Sequence, residues 1–155
     1  MPDPLAPARR GVASFVVALI GLAVSSYLTI EHFSSSTTLA CPESATINCV
    51  KVTTSQWSHV GPVPVAVLGL VFFLAMVALC SPPAWRARPL DGLRILGAAV
   101  GVASALYLVW IELFRVDAIC LWCSAVHVCC LALLGCVLWT ASGARADEGP
   151  VRGAG

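Results

Sequence analysis

Charge is scarce in this chain. Only 11% of its 155 residues are Asp, Glu, Lys or Arg, against 59% hydrophobic, and the mean hydropathy is +0.89. A water-soluble domain of this length lacks the interior to hide so much apolar surface, so soluble enzymes and carriers are excluded. An excess of one sign is missing too. The net charge is +1, which gives no electrostatic footprint for nucleic acid. Extended polar sequence is equally scant: the longest stretch, 31–61, is too small for a separate soluble domain, and no charge interrupts Ser124 to Thr140. The few charges cluster between long uncharged runs, the pattern of a bundle of membrane spans.

Four such runs follow in order, at about 12–32, 62–80, 94–114 and 119–140. The fold class expected is therefore all-α integral membrane, a four-transmembrane-helix bundle filling residues 11–140. A polar tail 1–10 precedes it, and a Gly/Ala-rich tail 141–155, expected to be disordered, follows. Arginines before the first run resemble a signal peptide, but the run exceeds the usual hydrophobic region, so a retained span is expected. Gly61-Pro62-Val63-Pro64 suits the first turn of the second span, where a proline's missing N–H costs nothing. In the third span Gly97, Gly101 and Ala105 recur every four residues, a small-residue stripe that lets a neighbouring helix approach.

With four spans both termini share a side. That side collects Arg9, Arg10, Arg86, Arg88, Arg94, Arg145 and Arg152, against Lys51 and Arg115 opposite. The asymmetry predicts cytoplasmic termini in a plasma (inner) membrane. The loop 31–61 then faces outward and carries a short interfacial helix near 50–58, with Trp57 at headgroup level. The same topology puts Cys41, Cys49, Cys120 and Cys123 on the outer side, where disulfides persist. Cys80, Cys129, Cys130 and Cys136 fall within or at the inner ends of spans, where cysteine packs as a small apolar residue.

Cys120-Leu121-Trp122-Cys123 opens the last span. Two thiols at i and i+3 share a helix face at disulfide distance, and a helix N-terminus favours the thiolate. At the water–lipid boundary such a pair suits redox exchange with a lipid-soluble carrier; a structural disulfide and half a zinc site are the alternatives. A second outward pair, Cys41 and Cys49, supplies what a relay needs, since thiol–disulfide exchange requires only that one thiolate reach one sulfur. His127 lies one turn beyond Cys123 on the same face, and ionisable side chains inside spans are usually functional. A metal-binding membrane protein using Cys120, Cys123 and His127, and a purely structural subunit, are the other classes this pattern allows.

Cys-x7-Cys, Ser55 six residues on, Trp57 two further, the Gly-x-x-Pro before the second span and the CxxC opening the fourth together resemble the vitamin K epoxide reductase family. The likeness is to bacterial members that oxidise dithiols and pass electrons to membrane quinone, and it covers roughly 25–139. It differs from DsbB-like oxidases, whose CxxC lies in the first outward loop. The resemblance implies that Cys120/Cys123 is the active-site disulfide, with Cys123 adjacent to the quinone. Cys49 would form the mixed disulfide with Cys120, and Cys41 would exchange with the partner. Ser55, Trp57, Val65 and His127 would line the quinone, a menaquinone or ubiquinone serving as substrate. His127 stands where the animal enzymes have a tyrosine, and Val65 where they have an asparagine, which favours quinone reduction over epoxide reduction. Many bacterial members carry a fused thioredoxin-like domain; the partner expected here is a separate exported thioredoxin-fold protein.

Overall fold

The computed structural model describes residues 6–34, 40–42, 44–87 and 89–146. It consists of α1 (Ala6–Phe33), α2 (Cys49–Thr53), a 3-10 turn (Gln56–Ser58), a two-residue hairpin of β1 (His59–Val60) and β2 (Val63–Pro64), α3 (Val65–Cys80), a 3-10 turn (Ala84–Arg86), α4 (Leu90–Ile111), a π-turn (Glu112–Val116) and α5 (Leu121–Ala146). Three helical segments, Gly11–Phe33, Leu90–Val116 and Leu121–Gly143, are long and apolar enough to cross a membrane. The fourth long helix, α3, is shorter, with 16 residues. At 1.5 Å per residue it spans roughly 24 Å, less than a ~30 Å hydrocarbon core.

Prolines set that shortness. The expected helix start at Pro62 is corrected to Val65. A residue before proline is sterically barred from the α region, so Val63 takes the extended conformation and pairs with Val60. Gly61, at φ +60°, makes the turn between the two strands. Pro64 caps α3 with extended backbone, and at the far end Ser81, again before a proline, is extended and stops the helix. The other long helices run past their expected bounds at one end at least, although α4 stops at Ile111 and α5 begins only at Leu121. α1 starts at Ala6, inside the tail assigned to 1–10. α5 continues to Ala146, so 141–146 is helical, with Ser142 bonded back to the Leu138 carbonyl at 2.9 Å. The remainder of the tail expected to be disordered, 147–155, lies outside the described residues.

α1 packs against both α3 and α5, and α4 closes against α5. Their shared interior holds Ala18, Phe73, Met76, Cys80, Ala98, Ala105, Cys129, Cys130, Leu133 and Val137, while Ile20, Leu96, Val128 and Leu131 are exposed on the outside. Apolar surface on both faces is what a bundle dissolved in lipid requires. The small-residue stripe of α4 faces α3: a Cβ on Gly101 would lie 2.5 Å from the Phe72 ring, so only glycine admits that ring. Of the other four cysteines, Cys80, Cys129 and Cys130 are buried and Cys136 is half-buried.

At the end of the bundle away from the CxxC, Arg94 is completely buried. Its Nε donates to the Leu79 carbonyl at 2.8 Å, its remaining nitrogens bond Asp91 and the Ala84 carbonyl, and its guanidinium lies 4.2 Å from the Trp85 ring centroid. The indole in turn donates to the Cys80 carbonyl at 3.0 Å. Carbonyls left over at the C-terminus of α3 thus find a cation where the helix dipole favours one. Arg94 counts in the basic cluster, but it acts as a clamp between α3 and α4.

Candidate functional site

The CxxC begins one residue before the helix it caps. The Cys120 carbonyl accepts the first bonds of α5, from the Ser124 N–H at 2.9 Å and the Ser124 hydroxyl at 3.0 Å. Its Sγ accepts the Cys123 N–H at 3.3 Å, so the sulfur occupies the place of an N-cap oxygen. Hydrogen bonding from the Cys123 thiol holds Cys120 below the ordinary thiol value of 9.0. The amides of Cys123 and Trp122 add to this, while burial and the charge of Glu112 oppose it. Cys120 is therefore the sulfur of the pair that favours the thiolate, the form that attacks disulfides.

The loop brings Cys49 alongside. Ile47 and Ile119 form a parallel bridge, with Asn48 N–H donating to the Ile119 carbonyl at 3.1 Å and Ile119 N–H to the Thr46 carbonyl at 2.9 Å. Cys49 and Cys120 each stand one residue beyond the Asn48–Ile119 bond, and both are fully buried, at 1% and 0% exposure. Asn48 then starts α2, its Oδ1 accepting the Lys51 N–H at 2.8 Å, and Lys51 Nζ reaches back to the Asp117 carbonyl at 3.2 Å. A second tie holds the start of the loop: Trp122 Nε1 donates to the Ala40 carbonyl at 3.1 Å, and its ring packs 4.8 Å from Tyr27. Cys41 follows Ala40, is half-buried, and forms a disulfide with Cys49 across a Cα–Cα distance of 6.2 Å. Cys120 and Cys123 are free thiols.

Below the CxxC lies a cavity of about 380 Å³, large enough for a drug-sized ring system. Its lining includes Cys123 but neither Cys120 nor the loop cysteines. All four residues expected near a quinone are there: Ser55, Trp57, Val65 and His127. Val65 opens α3 and offers only its methyls. The Ser55 hydroxyl donates to the Val52 carbonyl at 2.8 Å, leaving only its lone pairs to meet a ligand. Trp57 packs on Ile111, Val116 and Ala118, with the Arg115 guanidinium 4.9 Å from its ring centroid. His127 is buried, and its Nδ1 has no hydrogen-bond partner.

Two further residues of the lining, Ser25 and Glu112, carry polar groups into buried positions. Ser25 on α1 is 1% exposed, and its Oγ, like His127 Nδ1, is buried without a partner. Unpaired polar atoms are rare inside proteins, and two in one apolar cavity mark positions where a ligand's polar atoms fit. Glu112 is the one carboxylate of the lining. The structure buries it at the start of the π-turn, with Oε2 accepting the Cys120 N–H at 3.4 Å. Its carbonyl receives the amides of Asp117 and Ala118, and Asp117 adopts the left-handed conformation at φ 53°. This π-turn reverses the chain and sets Cys120 in place. Among the described residues no three His, Cys, Asp or Glu side chains converge as metal ligands.

A family model, that of the vitamin K epoxide reductase family, matches residues 12–138. No curated protein matches the chain significantly.

Proposed function

Because the chain belongs to the vitamin K epoxide reductase family, and is thus a membrane oxidoreductase of thiols and disulfides linked to quinones, we propose that it oxidises a thioredoxin-fold exported protein and passes the electrons to a membrane quinone. The observation that carries this reading is the division of one CxxC between two surroundings. Cys120 is sealed against the backbone bridge to Cys49, while Cys123 opens on the apolar cavity.

The path runs through this chain's own sulfurs. A partner dithiol reduces the half-buried Cys41 side of the loop disulfide and leaves oxidised. The Cys49 thiolate attacks Cys120 of a Cys120–Cys123 disulfide, forming a mixed disulfide and releasing Cys123. Cys41 then resolves it, which restores Cys41–Cys49 and leaves Cys120 and Cys123 reduced. The bonding pattern described above, one loop disulfide and two free thiols, is the stage just before the quinone step. A bound quinone supplies a two-electron acceptor; His127 Nδ1 and Ser25 Oγ are the unpaired atoms that would meet its two oxygens, and Val65, Trp57 and Phe72 its ring. Val65 provides no polar atom, which favours quinone over epoxide.

In this reading α3 also crosses the bilayer, shortened to fit by local thinning, and completes four spans. The arginine-rich ends face the cytoplasm, and the four relay cysteines face outward in the plasma membrane.

The test is stoichiometric. Purified, reduced protein receives a short-chain quinone without any protein partner, and the thiols are trapped by alkylation and mapped. The expected product is one Cys120–Cys123 disulfide per quinol formed. Quinone that leaves Cys120 and Cys123 reduced would overturn the proposal.

A further inference from the structure

Reduction of a quinone needs two protons as well as two electrons, delivered inside a cavity lined mostly by hydrocarbon. Cys123 opens on that cavity and can part with its own proton there. Cys120 cannot, because it is fully buried and outside the lining. The residue common to both places is Glu112: it lines the cavity, and its Oε2 lies 3.4 Å from the Cys120 amide nitrogen. It makes no ion pair among the described residues. A carboxyl group buried in a span with no cation is costly, and such groups mark proton pathways in membrane proteins.

We propose, resting on the quinone-reducing reading above, that Glu112 is the proton relay of that step. In the reduced protein the proton given up by Cys120 resides on the Glu112 carboxyl group, and Cys123 keeps its own. When the dithiol is oxidised, an S–S bond forms between Cys120 and Cys123 and two electrons pass to the quinone. One proton from Cys123 and one from Glu112 form the two O–H bonds of the quinol, and Glu112 is left as carboxylate. The next reduction of Cys120–Cys123 returns a proton to it, so atoms and charge balance over a cycle.

The rival role for Glu112 is to hold the turn by accepting the Cys120 N–H. Glu112→Gln separates the two, since the amide oxygen still accepts that bond but carries no transferable proton. Infrared difference spectra of the wild-type protein, reduced minus oxidised, are expected to show a carboxylic-acid C=O band that Glu112→Gln removes. Stopped-flow quinone reduction by the variant is expected to fall by about 100-fold or more. Glu112→Asp, which restores a transferable proton, should recover part of the rate. A Glu112→Gln protein with the wild-type rate, or a wild-type spectrum without the band, overturns the relay. The wild-type spectrum alone can overturn the relay even if the Glu112→Gln variant does not fold, and Glu112→Asp, which shifts the band, then serves to assign it. Failure of the underlying reading looks different: wild-type dithiol would not be oxidised by quinone at all.

Discussion

Replacing His127 by leucine should push activity and stability in opposite directions. The imidazole is buried, one helical turn from Cys123, and its Nδ1 finds no partner in the protein. Holding an unpaired buried nitrogen costs about 1–3 kcal/mol of folding free energy. Leucine has similar bulk and no polar atom, so the variant should be at least as stable as the wild type. A donor aimed at an oxygen on which negative charge develops, in a site from which water is excluded, is worth about 2.7–4 kcal/mol by the measure of oxyanion-hole deletions. His127→Leu should therefore slow quinone reduction roughly 100- to 1,000-fold. Stopped-flow quinol formation gives the rate, and thermal unfolding in detergent gives the stability. Cys49–Cys120 exchange, which does not use the ring, serves as the internal control. A well-folded variant reducing quinone at the wild-type rate refutes the reasoning, as does a loss of activity that merely tracks a loss of folded protein.

Three further outcomes follow from the geometry. Cys120 is held below 9.0 chiefly by hydrogen bonding from the Cys123 thiol; as pH falls, wild-type Cys120 keeps its thiolate into lower pH, and Cys123→Ala should move that loss to higher pH, read by thiolate ultraviolet absorbance against the double Cys120/Cys123 variant. Cys41→Ala should block oxidation of the protein partner while small dithiols still reduce the Cys120–Cys123 bond; loss with both donors would remove Cys41 from the shuttle role. Arg94→Ala strips partners from the Leu79 and Ala84 carbonyls, so it should destabilise the bundle by about 2–5 kcal/mol in denaturant unfolding, with little change in the rate per folded molecule.

The long apolar helices and the position of the CxxC were legible because both follow from pattern: uncharged length for the spans, and i, i+3 spacing for the thiols. The start of α3 was not, because two proline rules compete at Pro62–Pro64. Tolerance of proline in a first turn favours an early start; the exclusion of Val63 from the helical region by Pro64 wins. Ser25 was invisible because its neighbour carries the same letter. Ser26 satisfies its hydroxyl on the Leu22 carbonyl at 2.7 Å, whereas Ser25, a residue of the cavity lining, leaves its Oγ unpaired, and no sequence distinguishes the two. The place of Glu112 was not legible because it is set by the π-turn, a backbone feature without a composition signal. Arg94 looked like a topogenic charge, and only packing shows it as a buried clamp.

The bridge between Ile47 and Ile119 has a kinetic consequence. By pinning the loop one residue short of each buried cysteine, it makes exchange between Cys49 and Cys120 a first-order event whose rate does not change with dilution. A free thiol competing for Cys120 must match the effective concentration of a tethered neighbour, which for short tethers is already on the order of millimolar. It must also enter a place where the sulfur has no exposed surface. Small thiols in the surroundings are thus outpaced twice, by concentration and by access, and only when supplied in large excess do they reduce the buried pair without the loop.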